Sequence, residues 1–204
     1  MRHDPQVFER SPDGGPRQPS FRMSTRQLLI VLLFVSLSVL FTASIVAYVA
    51  TRLNSPLWRT PYMPGLPWGL FGSTALIAAV SGSIHWALSC VRKNRLDALG
   101  RALWLTGAFA LAFLVGQTFN WLAMAPAQTA PGPRTLYAFT FYMLTGLHAV
   151  HVLGGFVPLG IVIARARRRE YSSSRHEGVR LCAQYWDFLG LVWLVLLTTL
   201  HVVT

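Results

Sequence analysis

The chain is 204 residues long, 53% hydrophobic and only 12% charged. A soluble domain carries about a quarter charged residues, so this composition excludes an ordinary soluble enzyme and points to a single membrane domain. The net charge of +11 does not indicate nucleic acid, because the basic residues sit in the tail and loops rather than on a folded polar surface; there they set topology and meet anionic lipid heads.

Residues 1–26 are polar and rich in Pro, Gly and Arg, as in Ser11-Pro12-Asp13-Gly14-Gly15-Pro16-Arg17. Such a segment cannot bury a core and is predicted to be a disordered tail. The first apolar run starts near Gln27 and is too long and too late for a secretory signal. A bilayer crossing takes about 20 apolar residues, and five such runs follow. They cover about 27–51, 68–91, 101–124, 135–164 and 182–203, the fourth long enough to tilt. Arg52 and Pro56 end the first, Arg92-Lys93-Asn94-Arg95 the second, and Pro126 stops the third. Residues 27–204 are therefore predicted to form one all-α bundle of five membrane helices. Pro158 falls inside the fourth and predicts a kink, eased by Gly154, Gly155 and Gly160.

Orientation follows from the distribution of Lys and Arg. The tail, the second loop and the fourth loop hold 15 of the 18 basic residues, and the other side holds Arg52, Arg59 and Arg134. The N-terminus is thus expected in the cytoplasm and the C-terminus outside. Trp68, Trp104, Trp121, Tyr137, Tyr185 and Trp186 fall near predicted helix ends, where amphipathic rings anchor at the interface. Cys90 and Cys182 lie near cytoplasmic ends, a reducing setting that argues against a disulfide. Ala75, Ala79, Ser83 and Ala87 recur every fourth residue in the second helix and predict a close-packing face. No repeat relates the two halves, which argues against an inverted-repeat transporter.

Ionisable groups inside spans are the default functional candidates. His148 and His151 share one face of the fourth helix. Three roles fit them: neutral histidines hydrogen-bonded within the bundle, a site for a lipid head group or proton, or metal or haem ligands. Haem needs ligands on two sides, so a membrane b-type cytochrome would pair His85 with His148 or His151. Asp187 is the only carboxylate inside a span, about a turn and a half into the fifth helix, and is expected to pair with an arginine such as Arg180. No nucleotide loop, nucleophile elbow or zinc-protease motif is present.

Three segments carry a resemblance. Thr145-Gly146-Leu147-His148-Ala149-Val150-His151-Val152-Leu153-Gly154-Gly155 resembles the T-G-x-H-x-x-H-V-x-x-G signature of subunit III of the haem-copper oxidases. Tyr185-Trp186-Asp187-Phe188-Leu189-Gly190-Leu191-Val192-Trp193 is similar to its Y-W-H-F-V-D-V-V-W motif, and Gln117-Thr118-Phe119-Asn120-Trp121 to its Q-x-x-E-Y/W. The resemblance covers about 27–203, in the family's five-helix rather than seven-helix form. The chain departs from the pattern at several carboxylates. Leu37 and Asn120 stand at glutamate positions, Asp187 replaces the motif histidine, Gly190 its aspartate, and Arg180 an acidic residue.

The resemblance implies an accessory subunit without haem or copper of its own. Such a subunit packs against catalytic subunit I, with subunit II in the same complex, supports proton uptake, and protects the catalytic centre, partly through bound phospholipid. It implies residence in a bacterial plasma membrane and a packing or lipid-contact role for Thr145, Gly146, His148, His151, Gly155, Gln117, Tyr185, Trp186, Asp187 and Trp193. The Thr145/His148/His151/Gly155 stripe is expected to face subunit I. Cytochrome c oxidase, quinol oxidase and nitric oxide reductase complexes remain open as hosts.

Overall fold

The computed structural model describes residues 25–55, 65–125 and 136–203, with side chains from Leu28 onward. The N-terminal tail expected to be disordered, the two proline-bearing loops, Arg59 and Arg134 lie outside the described residues. Five helices are described: α1 (Thr25–Asn54), α2 (Gly69–Arg92), α3 (Leu96–Met124), α4 (Leu136–Arg167) and α5 (Glu177–Val203). All five are long and apolar enough to cross a membrane. Even α2, with 24 residues, reaches about 36 Å, more than the ~30 Å of a hydrocarbon core.

α3 and α5 begin about five residues before their apolar runs do. The added turns carry Asp97 and Glu177, which favour the positive end of a helix dipole. Both α2 and α4 end in the same way. Asn94 and Arg169 adopt φ of 56° and 54°, and the next amides reach back five residues, Arg95 to the Cys90 carbonyl and Glu170 to the Arg165 carbonyl, at 2.9 and 3.1 Å. This left-handed cap closes a helix and turns the chain sharply. α4 runs unbroken through Pro158; the carbonyl freed by the missing amide belongs to Gly154, which has no side chain to crowd the ring.

The chain divides into residues 1–37 and 38–204. The first, described from Thr25, is the opening half of α1. The second holds the rest of α1 and a closed ring in which α2 packs on α3 and α5, and α4 packs on the same two helices. Buried positions repeat every 3.5 residues on each ring helix. In α2 they include Ser73, Ile77, Val80, Ile84, Ala87 and Val91; in α3, Leu103, Thr106, Ala110, Phe113, Gln117 and Asn120. Matching seams run along α4 through Thr145, His148, Val152, Gly155 and Leu159, and along α5 through Trp186, Leu189, Trp193, Leu196 and Leu200. A 3.5-residue repeat keeps one seam on its neighbour when helices wrap left-handedly.

That repeat corrects the small-residue face expected on α2. A strict four-residue spacing drifts around a 3.6-residue helix, by about 120° over the twelve residues from Ala75 to Ala87. Ser83 and Ala87 are accordingly buried, while Ala79 is half-buried and Ala75 exposed. The α2–α3 and α4–α5 connections, which together with the helix ends beside them carry ten of the eleven described Lys and Arg side chains, lie at the same end of the ring. There Arg169 meets Asp97 at 3.4 Å and Arg167 covers the Trp104 ring at 5.3 Å. Tyr171 is buried in the α4–α5 connection; burial pushes its hydroxyl above the usual range, opposed in part by the Arg165 guanidinium.

Candidate functional site

Each of the four contacts around the ring is pinned by a hydrogen bond between side chains or from a side chain to a backbone carbonyl. Between α2 and α3, the Ser83 and Thr106 hydroxyls meet at 2.9 Å. Between α3 and α4, the Trp121 indole donates to the Thr145 hydroxyl at 3.1 Å, and the Tyr142 hydroxyl donates to the Trp121 carbonyl at 2.6 Å. Between α4 and α5, the Tyr185 hydroxyl donates to the His151 carbonyl at 2.8 Å. Between α5 and α2, the Trp193 indole donates to the Thr74 hydroxyl at 3.1 Å. In hydrocarbon, where water is absent, such polar contacts hold helices together. Thr145, His151, Tyr185 and Trp193 all belong to the two motif segments, so these segments close three of the four contacts.

The two segments also dock face to face. A Cβ on Gly155 would come within 2.9 Å of the Tyr185 ring and 3.1 Å of the Trp186 indole. The missing side chain is what lets these rings lie on the α4 backbone. Tyr185 and Trp186 therefore serve the helix contact rather than the membrane interface; Trp186 is fully buried deep within α5. Trp68 and Trp104 remain exposed, as interface anchors are. Gly146 differs from Gly155, since nothing lies within 4 Å of a Cβ placed there.

His148 sits at the centre of this packing with 0% exposure. Its ring lies 5.3 Å from that of Trp193, 5.8 Å from Phe113 and 6.2 Å from Phe41, and neither ring nitrogen has a hydrogen-bond partner. Among the described residues an aromatic enclosure stands where hydrogen bonding was expected for this histidine. His151 is half-buried; its Nδ1 lies 2.7 Å from the Leu147 carbonyl, and the Phe41 ring is 5.1 Å away. Thr145, His148 and Gly155 are buried inside this chain, so the stripe expected to face subunit I faces inward instead. A sequence cannot distinguish the two, because an inner seam and a partner-facing seam draw on the same small and polar residues.

Gln117 and Asn120 form a separate cluster at the far end of α3. The Asn120 amide donates to Ser73 at 3.2 Å and to Gln117 at 3.4 Å, and the Asn120 carbonyl oxygen fills the space beside Gly69. Asp187 lies apart from both groups. Its Oδ2 is 2.8 Å from His85 Nε2, on the outer side of α2 and α5. The expected partner Arg180 instead meets Glu177 at 3.6 Å. Seven residues put Arg180 about 10 Å along the axis from Asp187, whereas Glu177 is one turn away. Because α5 starts at Glu177, Asp187 is also deeper in its helix than expected. Thr74, Phe113 and Phe41 were not signalled by any motif; only the packing identifies them.

His85 is held by Asp187 on an exposed face, while His148 is enclosed in the core, so the His85–His148 form of the pairing expected for a b-type cytochrome is not assembled. No group of three or more His, Cys, Asp or Glu side chains is close enough to hold a metal among the described residues. Cys90 and Cys182 are both free thiols.

The family model described as "Cytochrome c oxidase subunit III" matches residues 23–203. The chain is 29% identical to "Cytochrome c oxidase subunit 3" of Thermostichus vulcanus over 94% of this chain and 92% of that relative. It is 31% identical to the protein of the same name from Synechocystis sp., over 84% of this chain and 72% of the relative. The Pylaiella littoralis relative, also so named, is 35% identical over 66% of this chain and 48% of its own length.

Proposed function

The chain belongs to the cytochrome c oxidase subunit III family, and from that premise we propose that it is an accessory, non-redox subunit supporting assembly and stability of the catalytic subunit of a haem-copper terminal oxidase. It is a multi-pass membrane protein and a component of a multisubunit oxidase. The observation that carries the accessory reading is the use made of the motif side chains. The side chains of Thr145, Tyr185 and Trp193 are spent on hydrogen bonds between helices, the His151 imidazole meets the Leu147 carbonyl of its own helix, and His148 is sealed among aromatic rings. Groups committed in this way hold a bundle in shape.

The finer assignments follow from the same premise. The partner in direct contact is the haem-copper subunit I, with subunit II in the same complex, and haem and copper reside in those partners. The host is an oxidase of the cytochrome c type, the reading favoured by the relatives' names over a quinol oxidase or nitric oxide reductase. The membrane is a bacterial plasma membrane, with phospholipid as a bound ligand. The N-terminus is cytoplasmic; its support is that both described basic connections lie at one end of the ring, the pattern of the positive-inside rule. The test is gentle affinity purification from native membranes, with identification of co-purifying chains and a reduced-minus-oxidised spectrum, repeated on the chain expressed alone. Haem-copper subunits in the complex and a colourless isolated chain are expected. A haem spectrum from the isolated chain without oxidase partners would make the histidines ligands and overturn the proposal.

A further inference from the structure

The polar side chains of the ring's motif segments turn largely inward, but one interhelical pair does not. His85 and Asp187 pair across α2 and α5 on the outside of the bundle, with side chains 57% and 38% exposed. Both lie inboard of the basic residues that flank their helices. His85 lies seven residues before Arg92, and Asp187 seven after Arg180. At ~1.5 Å per residue, each is about 10 Å inside the nearest flanking arginine on its helix. Hydrocarbon offers nothing to a carboxylate or an imidazole, and ionisable groups at such depth face protein or a water-filled cavity.

Only one atom of each side chain is used in the pair. Asp187 Oδ2 and His85 Nε2 bind each other, which among the described residues leaves Asp187 Oδ1 and His85 Nδ1 uncommitted on an exposed pair. Beside them runs a groove of 380 Å³, lined by Thr74, Ala78, Ser81, Gly190 and Asp187 among others. Ala78, Ser81 and Gly190 on its wall allow a helix backbone to come close, and the pair supplies polar atoms where that helix would cross. Hydrocarbon tails could fill such a groove but could not satisfy the pair.

We propose that the His85–Asp187 pair and the adjoining α2/α5 groove form the docking surface for a transmembrane helix of a partner oxidase subunit, one that presents a hydroxyl or carboxamide side chain to the pair. Such a group donates to Asp187 Oδ1 and completes the hydrogen bonding of His85 Nδ1, and polar contacts of this kind hold helices together in lipid. The proposal rests on the accessory-subunit reading and adds to it the face that binds.

The experiment uses the intact complex in native membranes. p-Benzoylphenylalanine is placed at Ala78, exposed in the groove, or at Val150, exposed on α4, and irradiated before purification. The Ala78 probe is expected to crosslink to one membrane-spanning oxidase chain, and the Val150 probe not to reach that chain. In parallel, Asp187→Leu is expected to lower the fraction of this chain retained in the complex by about tenfold, while the detergent-purified chain stays folded, its unfolding midpoint lowered no further than by Tyr185→Phe, which also removes one interhelical hydrogen bond. If the unsubstituted chain co-purifies with haem-copper subunits, but Ala78 yields only lipid adducts or a second copy of this chain, the docking face is wrong and the accessory role stands. Full retention of Asp187→Leu also overturns the docking face. If the unsubstituted chain brings down no haem-copper subunit, the accessory reading falls and the docking proposal with it.

Discussion

Gly155 of α4 and Tyr185 of α5 are in direct contact: the Tyr185 ring edge occupies the space a Cβ on Gly155 would need, at 2.9 Å. The Trp186 indole crowds the same point at 3.1 Å. An alanine there must push one ring aside, and a branched side chain must push both. Overpacking a fitted contact costs about 1–3 kcal/mol. Gly155→Val is therefore expected to destabilise the purified bundle by about that amount, and Gly155→Ala by less, since alanine regains helix propensity of up to ~1 kcal/mol. Gly146→Ala is the control, because that Cβ meets open space; unfolding midpoints in denaturing detergent separate the three. Equal effects at 146 and 155 would remove the packing account.

The hydrogen bonds around the ring predict a second set of losses. Tyr185→Phe deletes the donor to the His151 carbonyl, Trp193→Phe the donor to Thr74, and Thr145→Val the acceptor for Trp121. Interhelical hydrogen bonds in membranes average about 0.6 kcal/mol and reach about 1.7. Each variant is expected to lose stability within that range. Thr118→Val should be close to neutral, because that exposed hydroxyl bonds only to the Leu114 carbonyl of its own helix. A neutral result for all three seam variants would mean that van der Waals packing alone holds the ring.

A third test concerns the cluster at the far end of α3. The Asn120 carboxamide lies where a side chain on Gly69 would go and is tied to Ser73 and Gln117. Gly69→Ala is expected to dislodge Asn120, with a stability loss near that of Asn120→Ala. The double variant should lose little more than either single one, because both break the same contacts. Fully additive losses would show that the two residues act independently.

How far the sequence reveals this protein depends on which physical contrast each feature uses. The five helices stand out because an apolar run against charged loops is a strong signal, and the basic residues mark one end of the bundle. The inner seams are nearly silent. In lipid the outside of a helix is as apolar as its core, so exposed Phe119 and Val150 read like buried Phe113 and Val152. Small-residue spacing was an unreliable guide to α2, where the seam follows 3.5 residues rather than 4. At the site, Thr145, His148, Gly155, Tyr185 and Trp193 were legible as motif positions, but not their direction into the chain's own core. The His85–Asp187 pair was invisible because its members are 102 residues apart, and nothing local to either names the other.

His148 gives the last prediction, through the contrast between two substitutions. Its ring fills an enclosed place between Phe113 and Trp193, yet both nitrogens are without partners. A buried polar group without a hydrogen bond contributes volume while opposing burial. His148→Leu keeps most of the volume and removes the polar atoms, so it is expected to change bundle stability by no more than about 1 kcal/mol. His148→Ala leaves a hole among three aromatic rings and should cost about 2–4 kcal/mol, by analogy with other large-to-small core changes. In the complex, His148→Ala should lower the amount of this chain that assembles with the oxidase, while whatever complex does assemble keeps its haem. Retention after purification and the haem spectrum, read on the same sample, check both parts. Complete loss of haem from an otherwise assembled complex would give His148 a role in the redox centre and remove the structural one. A His148→Leu variant as damaged as His148→Ala would show that the imidazole nitrogens matter, and that the aromatic enclosure is not the whole of what that residue does.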